Sequence, residues 1–118
     1  MNRILLADDN LALHSALRLL LEIRFGAPLI DEAYDMEHVL AQVEVSQPDC
    51  IVLDWELPGQ PARERVKLLR ALVPGLIVIV ASANPDSKKE ALEENVDAYI
   101  DKGDAPLEII KAFDCLCR

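Results

Sequence analysis

Short apolar runs alternate with longer amphipathic segments from one end of the chain to the other. That alternation predicts βαβ units packed around a parallel sheet, and so an α/β fold. Five runs read as strands: Arg3–Ala7, Leu29–Ala33, Cys50–Leu53, Leu76–Ala81 and Ala98–Asp101. Ile51-Val52-Leu53 and Ile77-Val78-Ile79-Val80 are continuous and rich in β-branched residues, as expected of strands covered on both faces, which places them at the centre of the sheet. Leu29-Ile30-Asp31-Glu32-Ala33 carries charge in its middle and suits an edge.

The intervening segments, Leu11–Phe25, Met36–Val45, Ala62–Leu72, Pro85–Glu94 and Pro106–Cys117, have helical length. Leu13, Leu17, Leu20 and Leu21 fall at helical spacing and are assigned to the core, as are Leu68, Leu69 and Leu72 in the third helix and Ile109, Ile110 and Phe113 in the fifth. Asn84 before Pro85 predicts an N-cap followed by proline at the first helical position, and Asp104 ahead of Pro106 predicts a similar start. Asp35 is expected to cap the second helix, with Gly26 and Asn95 as left-handed stops. No repeat, low-complexity stretch or linker interrupts the pattern, so residues 1–118 are expected to form one domain.

Charge narrows the partners. Twelve basic residues against 21 acidic ones give a net charge of −9, a field that repels nucleic acid and anionic membranes. Cys50, Cys115 and Cys117 form no disulfide framework, and Cys115-x-Cys117 lacks a second pair of zinc ligands, which fits a reducing compartment. The apolar stretch after Met1-Asn2-Arg3 meets Asp8 and Asp9 too soon for a signal sequence or a membrane span, so a cytoplasmic location is expected.

The chemistry gathers at the strand ends. The first strand ends in Asp8-Asp9-Asn10, the third in Asp54, the fourth in Ser82 and the fifth in Asp101-Lys102. Ligands of doubly wound parallel sheets bind outside the carboxyl ends of the strands, where the strand order reverses. If that order is 2-1-3-4-5, Asp8, Asp9 and Asp54 converge, with Ser82 and Lys102 on the far side of Asp54. Three close carboxylates repel one another unless a cation shares the site. Oxygen ligands without His or Cys favour Mg²⁺, held by carboxylates together with phosphate oxygens. Asp8 and Asp9 are placed as metal ligands. A carboxylate can also attack phosphorus to give an aspartyl phosphate, and Asp54 is the candidate. The three equatorial oxygens of a transferred phosphoryl group need a fixed cation and a hydroxyl as well as a metal, and Lys102 and Ser82 supply these.

Ile4-Leu5-Leu6-Ala7-Asp8-Asp9-Asn10, Ile51-Val52-Leu53-Asp54-Trp55-Glu56-Leu57-Pro58-Gly59, Ile79-Val80-Ala81-Ser82-Ala83 and Ala98-Tyr99-Ile100-Asp101-Lys102 resemble, in order and spacing, the signature of the response-regulator receiver domain. The resemblance covers essentially the whole chain. It implies a doubly wound, flavodoxin-like (βα)₅ fold with strand order 2-1-3-4-5. It further implies that Asp54 accepts phosphate from a phosphohistidine on a sensor histidine kinase, with Mg²⁺ held by Asp8 or Asp9, Asp54 and the backbone carbonyl of Glu56. Ser82 and Tyr99 would act as switch residues. The face built from the fourth helix, fifth strand and fifth helix would then change partner, homodimerisation being one outcome. Such a domain is a signalling module that catalyses its own phosphorylation and dephosphorylation, and the expected output is transcription. Glu56 and Asn84 occupy variable positions that affect how long the phosphoryl group lasts.

Some positions depart from the family pattern. Lys102 is followed by Gly103, with proline only at Pro106, as in receivers that precede a helix-turn-helix output domain; Gln60-Pro61-Ala62 lacks the usual second glycine, and Asn95-Val96-Asp97 the usual glycine before the fifth strand. These changes touch loop geometry and remove no chemical group. His14 and His38, in the first two helices, are read as core-edge or surface residues away from the strand ends. Two rival readings are weaker. An Mg²⁺-dependent phosphohydrolase with an aspartyl-phosphate intermediate generally needs an acid/base aspartate where Glu56 stands, and a cap for which no insertion is long enough. A degenerate receiver that only binds protein would not need the intact set Asp8, Asp9, Asp54, Ser82 and Lys102.

Overall fold

The computed structural model describes residues 3–26 and 29–116. Strands β1 (Arg3–Ala7), β2 (Leu29–Ala33), β3 (Cys50–Asp54), β4 (Ile77–Ser82) and β5 (Ala98–Asp101) alternate with helices α1 (Leu11–Phe25), α2 (Met36–Ser46), α3 (Ala62–Leu72), α4 (Ser87–Glu93) and α5 (Leu107–Leu116). All strand pairs are parallel and the order is β2-β1-β3-β4-β5. Charged β2 lies at an edge, and β3, buried along its whole length, lies at the centre. Both outcomes follow the apolar pattern.

The period of two along each strand divides the core into two layers. Leu5, Ala7, Ile51, Leu53, Val78 and Val80 face α2, α3 and α4, where Met36, Val39, Val43, Val66, Leu69 and Ala91 meet them. Ile4, Leu6, Cys50, Val52, Ile79 and Ala81 face α1 and α5, packing on Leu17, Leu21, Ile109 and Phe113. Each central strand is therefore apolar on both faces, and only its carboxyl end is free to carry polar chemistry.

Local signals mostly hold, with instructive exceptions. Asp35 caps α2 by accepting from the His38 N–H at 2.8 Å. Asn95 has φ +59°. Gly26 ends α1 at φ +84° and ψ −123°, a positive-φ stop outside the left-handed helical region. Asn84 does not cap α4: its side chain accepts from the Asp86 N–H at 3.0 Å, Pro85 lies in that turn, and the helix starts at Ser87. Asp104 meets α5 through its backbone carbonyl, which accepts from the Glu108 N–H at 3.3 Å. Leu68 is 38% exposed rather than in the core, because α3 buries the stripe of Arg65, Val66 and Leu69 and turns position 68 outward. Leu76 precedes β4, and Cys117, assigned to the last helix, lies outside the described residues.

His14 departs furthest from the sequence reading. It is only 2% exposed, stacks on Tyr34 with ring centroids 5.1 Å apart, and places Nδ1 3.3 Å from Glu32 near the end of β2. It thus lies at a strand end after all, because the side chains of His14 and Arg18 both reach from α1 to Glu32 of β2. His38 is exposed.

Candidate functional site

The order of the sheet reverses between β1 and β3: the chain leaves β1 for β2 on one side and later returns to β3 on the other. Ala7 pairs with Leu53, so the next residues, Asp8 and Asp54, emerge side by side. Backbone bonds prolong the ladder past the strand ends, from Asp8 N–H to Ala33 O at 3.1 Å, Trp55 N–H to Ala81 O at 2.9 Å and Lys102 N–H to Ser82 O at 2.9 Å. These bonds hold the polar residues in register just where side chains stop being needed for the core.

Asp8, Asp9 and Asp54 each present a carboxylate oxygen, and these oxygens lie within 4.8 Å of one another. Asp8 and Asp54 are buried and Asp9 is exposed. The remaining lone pairs are organised by the chain: Asp8 Oδ1 accepts from the Asn10 N–H at 2.8 Å and Asp54 Oδ1 from the Glu56 N–H at 3.0 Å. Lys102 does not stay on the far side of Asp54. Its Nζ bridges the pair, 2.9 Å from Asp8 Oδ2 and 3.1 Å from Asp54 Oδ2.

Burial, and next the charge of Asp8, raise the Asp54 pKa above the usual carboxylate value, against the lowering effects of the Glu56 N–H and Lys102. Burial pulls the Lys102 ammonium down, but its hydrogen bonds to Asp8 and Asp54 and their charges outweigh this and raise it. The lysine therefore stays protonated as the internal counter-ion of the cluster.

The oxygen-only donor set suits a hard cation. Asp8, Asp9 and Asp54 bring their oxygens close enough, within 4.8 Å of one another, to share one such ion directly or with a carboxylate acting through water. The acidic cluster can thus hold a divalent metal.

Ser82 ends β4 beside this cluster. Its hydroxyl donates to Glu56 Oε2 at 2.6 Å and accepts from the Asn84 N–H at 3.0 Å, while the Ala83 N–H donates to Glu56 Oε1 at 2.9 Å. The Glu56 carboxylate is thus an anion seated on a hydroxyl and a backbone N–H. Tyr99, the other expected switch residue, packs on the α2–α4 layer and donates its hydroxyl to the Asn84 carbonyl at 3.1 Å. Trp55 is buried, with Nε1 donating to Glu90 Oε1 at 3.1 Å.

Sequence reasoning missed Arg65. It is 5% exposed, and its guanidinium donates to Gln60 O at 2.8 Å, Trp55 O at 2.7 Å, Asp54 O at 3.2 Å and Leu57 O. The signal was available. Ala62, Val66 and Leu69 define the inner stripe of α3, and position 65 lies on it, so a charge there required a buried partner.

Comparison with known proteins agrees with this geometry. The family model for the response regulator receiver domain matches residues 4–114. The chain is 29% identical over 120 residues to the phosphate regulon transcriptional regulatory protein PhoB of Klebsiella pneumoniae, covering 98% of this chain and 52% of that protein. It is 29% identical over 112 residues to the nitrate/nitrite response regulator protein NarL of Escherichia coli K12, covering 93% of this chain and 52% of that one. A two-component response regulator of the LuxR family from Aurantimonas sp. SI85-9A1 superposes with a TM-score of 0.83 at 25% identity, covering 97% of this chain and 83% of that structure. The chain spans about half the length of the regulators PhoB and NarL. With a matching family model over nearly its full length and the family's strand order, the chain belongs to the response regulator receiver domain family.

Proposed function

We propose that Asp54 accepts a phosphoryl group from a phosphohistidine of a partner sensor histidine kinase. The observation that carries this reading is the buried pair Asp8 and Asp54 at the β1/β3 switch point, bridged by Lys102 and flanked by the Ser82 hydroxyl. An Asp54 carboxylate oxygen attacks phosphorus, the P–N bond to the histidine breaks, and the imidazole leaves with the bonding pair. Lys102 neutralises one phosphoryl oxygen. The Ser82 hydroxyl and the Ala83 N–H, which already hold a carboxylate, donate to the others once Glu56 gives way.

Asp8, Asp9, Asp54 and the Glu56 carbonyl would hold Mg²⁺, which when bound offsets the charge that builds on the phosphoryl oxygens. Residues 1–118 act as one receiver domain in the cytoplasm and speed their own phosphoryl gain and loss. Ser82 and Tyr99 carry the change to the α4–β5–α5 face, where edge strand β5 and exposed Leu92 and Leu107 offer a surface for a partner or a second copy. The output is transcription, in keeping with the regulators PhoB and NarL. Among the described residues no helix is long and apolar enough to cross a membrane.

Incubation with acetyl phosphate and Mg²⁺ tests the assignment by intact mass. The wild-type chain should gain one phosphoryl group and Asp54→Asn none. Equal labelling of the two proteins would overturn the role of Asp54, and repeated turnover of unrelated phosphate esters would point to a hydrolase instead.

A further inference from the structure

Arg65 is a buried guanidinium whose hydrogen bonds all go to main-chain carbonyls, those of Asp54, Trp55, Leu57 and Gln60. Taking such a charge out of water is costly, and burial lowers its pKa against the attraction of Asp54 and Glu56. An apolar residue on the same stripe would pack against Val66 and Leu69 at no such cost. What the arginine alone provides is a rigid fork of donors that fixes several peptide planes together.

Those planes belong to the loop that follows the phosphoacceptor. Of the four consecutive carbonyls from Asp54 to Leu57, the guanidinium takes three and leaves that of Glu56. The Glu56 N–H is committed to Asp54 Oδ1 at 3.0 Å, and the Leu57 N–H to Asp54 O at 3.1 Å. At the far end of the loop Pro58 O accepts from the Met36 N–H at 2.9 Å. The peptide of Glu56 is therefore clamped from both sides, with its carbonyl the one left for a ligand.

We propose that Arg65 is a positioning residue for the cation: by holding the neighbouring carbonyls it presents the Glu56 carbonyl to the acidic cluster and sets the cluster's affinity for Mg²⁺. The inference rests on the reading of Asp8, Asp9 and Asp54 as a cation site, and it adds a determinant from α3 that touches neither cation nor phosphoryl group. A purely structural Arg65, stapling α3 to the loop, would affect stability alone.

Calorimetric titration of the whole chain with Mg²⁺ separates these roles. Arg65→Met, which keeps the length of the stem and removes the donors, should weaken Mg²⁺ binding by at least about tenfold, the usual scale for groups that orient a metal's ligands. Arg65→Lys, with a single point of donation, should recover part of the loss. Leu69→Ala, a cavity in the same helix, should lower the melting temperature and leave the affinity for Mg²⁺ unchanged. Carbonyl ¹³C shifts give a second readout: the Glu56 carbonyl should move on Mg²⁺ addition in the wild type and respond less in Arg65→Lys, which decides the matter should Arg65→Met not fold. Wild-type affinity in the folded Arg65 variants, or a loss in Leu69→Ala as large as theirs, would overturn the role of Arg65 while leaving the cation site standing. A wild-type chain that binds no Mg²⁺ would overturn the cation site itself and this inference with it.

Discussion

Lys102→Met removes the ammonium that bridges Asp8 and Asp54 and keeps most of the apolar stem. The lysine is 20% exposed and the two carboxylates 5% and 4%, so the contacts at 2.9 and 3.1 Å are poorly screened. At an effective dielectric near 20 each contact is worth roughly 5 kcal/mol before the desolvation of the lysine is subtracted. Without it, two carboxylates whose oxygens lie within 4.8 Å repel by roughly 3.5 kcal/mol at the same dielectric. Part of that is relieved by protonating one of them, since Asp54 is already raised by burial and by Asp8. The expected loss is about 2–4 kcal/mol at neutral pH in the presence of EDTA, read from urea unfolding. The deficit should shrink as pH falls and Asp54, whose pKa is raised, takes up a proton, and again with excess Mg²⁺ or in the double variant with Asp54→Asn. A Lys102→Met protein within about 0.5 kcal/mol of wild type, a change typical of neutral surface substitutions, would refute the electrostatic account. A loss independent of pH, Mg²⁺ and Asp54 would do the same by pointing to packing.

Asp54→Asn in EDTA should be more stable than wild type at neutral pH, because a carboxyl whose folded pKa lies above its unfolded value costs stability once both states are ionised. The difference should narrow as pH falls through the raised folded value and vanish below the ordinary carboxylate range, where both states carry the proton; urea midpoints across that range show whether it does. Glu56→Gln weakens the hold on the Ser82 hydroxyl and the Ala83 N–H by about 1 kcal/mol, the difference between charged and neutral acceptors, and should raise the initial rate of phosphoryl uptake about fivefold. A slower variant would show that the carboxylate assists uptake. Gly59→Ala should destabilise by about 1–3 kcal/mol, since φ is +125° and the added Cβ would fall 2.6 Å from Met36 Cβ. An unchanged unfolding midpoint would mean that the loop relaxes freely.

The strands and the convergence of Asp8, Asp9, Asp54, Ser82 and Lys102 were legible because parallel sheets impose two strong rules on sequence. Strands buried on both faces must be continuously apolar, and polar chemistry is then confined to their carboxyl ends. The exceptions lie where a side chain answers to tertiary neighbours. Arg65 looked like one charge among Arg63, Glu64 and Lys67, and only the turn of α3 toward the loop carbonyls distinguishes it. His14 reads in sequence as a core-edge or surface residue, but it is buried against Glu32 at the end of β2 and the ring of Tyr34. Asn84 carried a helix-cap signal that the chain spends on a turn instead, because Ser82 and Tyr99 both bind that segment. Propensity names a residue's options, and the neighbours decide among them.

Taken together, these contacts show that every group expected to meet a phosphoryl dianion already has an internal partner. Lys102 is occupied by Asp8 and Asp54, and the Ser82 hydroxyl and Ala83 N–H are occupied by Glu56. A site satisfied in this way does not pay a desolvation penalty for donors waiting empty. Under the phosphoacceptor reading, uptake becomes an exchange of partners rather than a simple addition, and the exchange gives the signal its direction. When Glu56 leaves Ser82, the hydroxyl is free to turn toward Asp54. The Asn84 segment, which is bonded to Ser82 Oγ and to the Tyr99 hydroxyl, then loses one of the contacts that fix it. Tyr99 sits on β5, an edge strand of the sheet, so a change in hydrogen bonding at Ser82 reaches that edge through Asn84 and Tyr99. Under that reading the coupling needs no extended network: one displaced carboxylate, one hydroxyl and the Asn84 residue, bonded through its N–H to Ser82 and through its carbonyl to Tyr99, link the chemistry to β5.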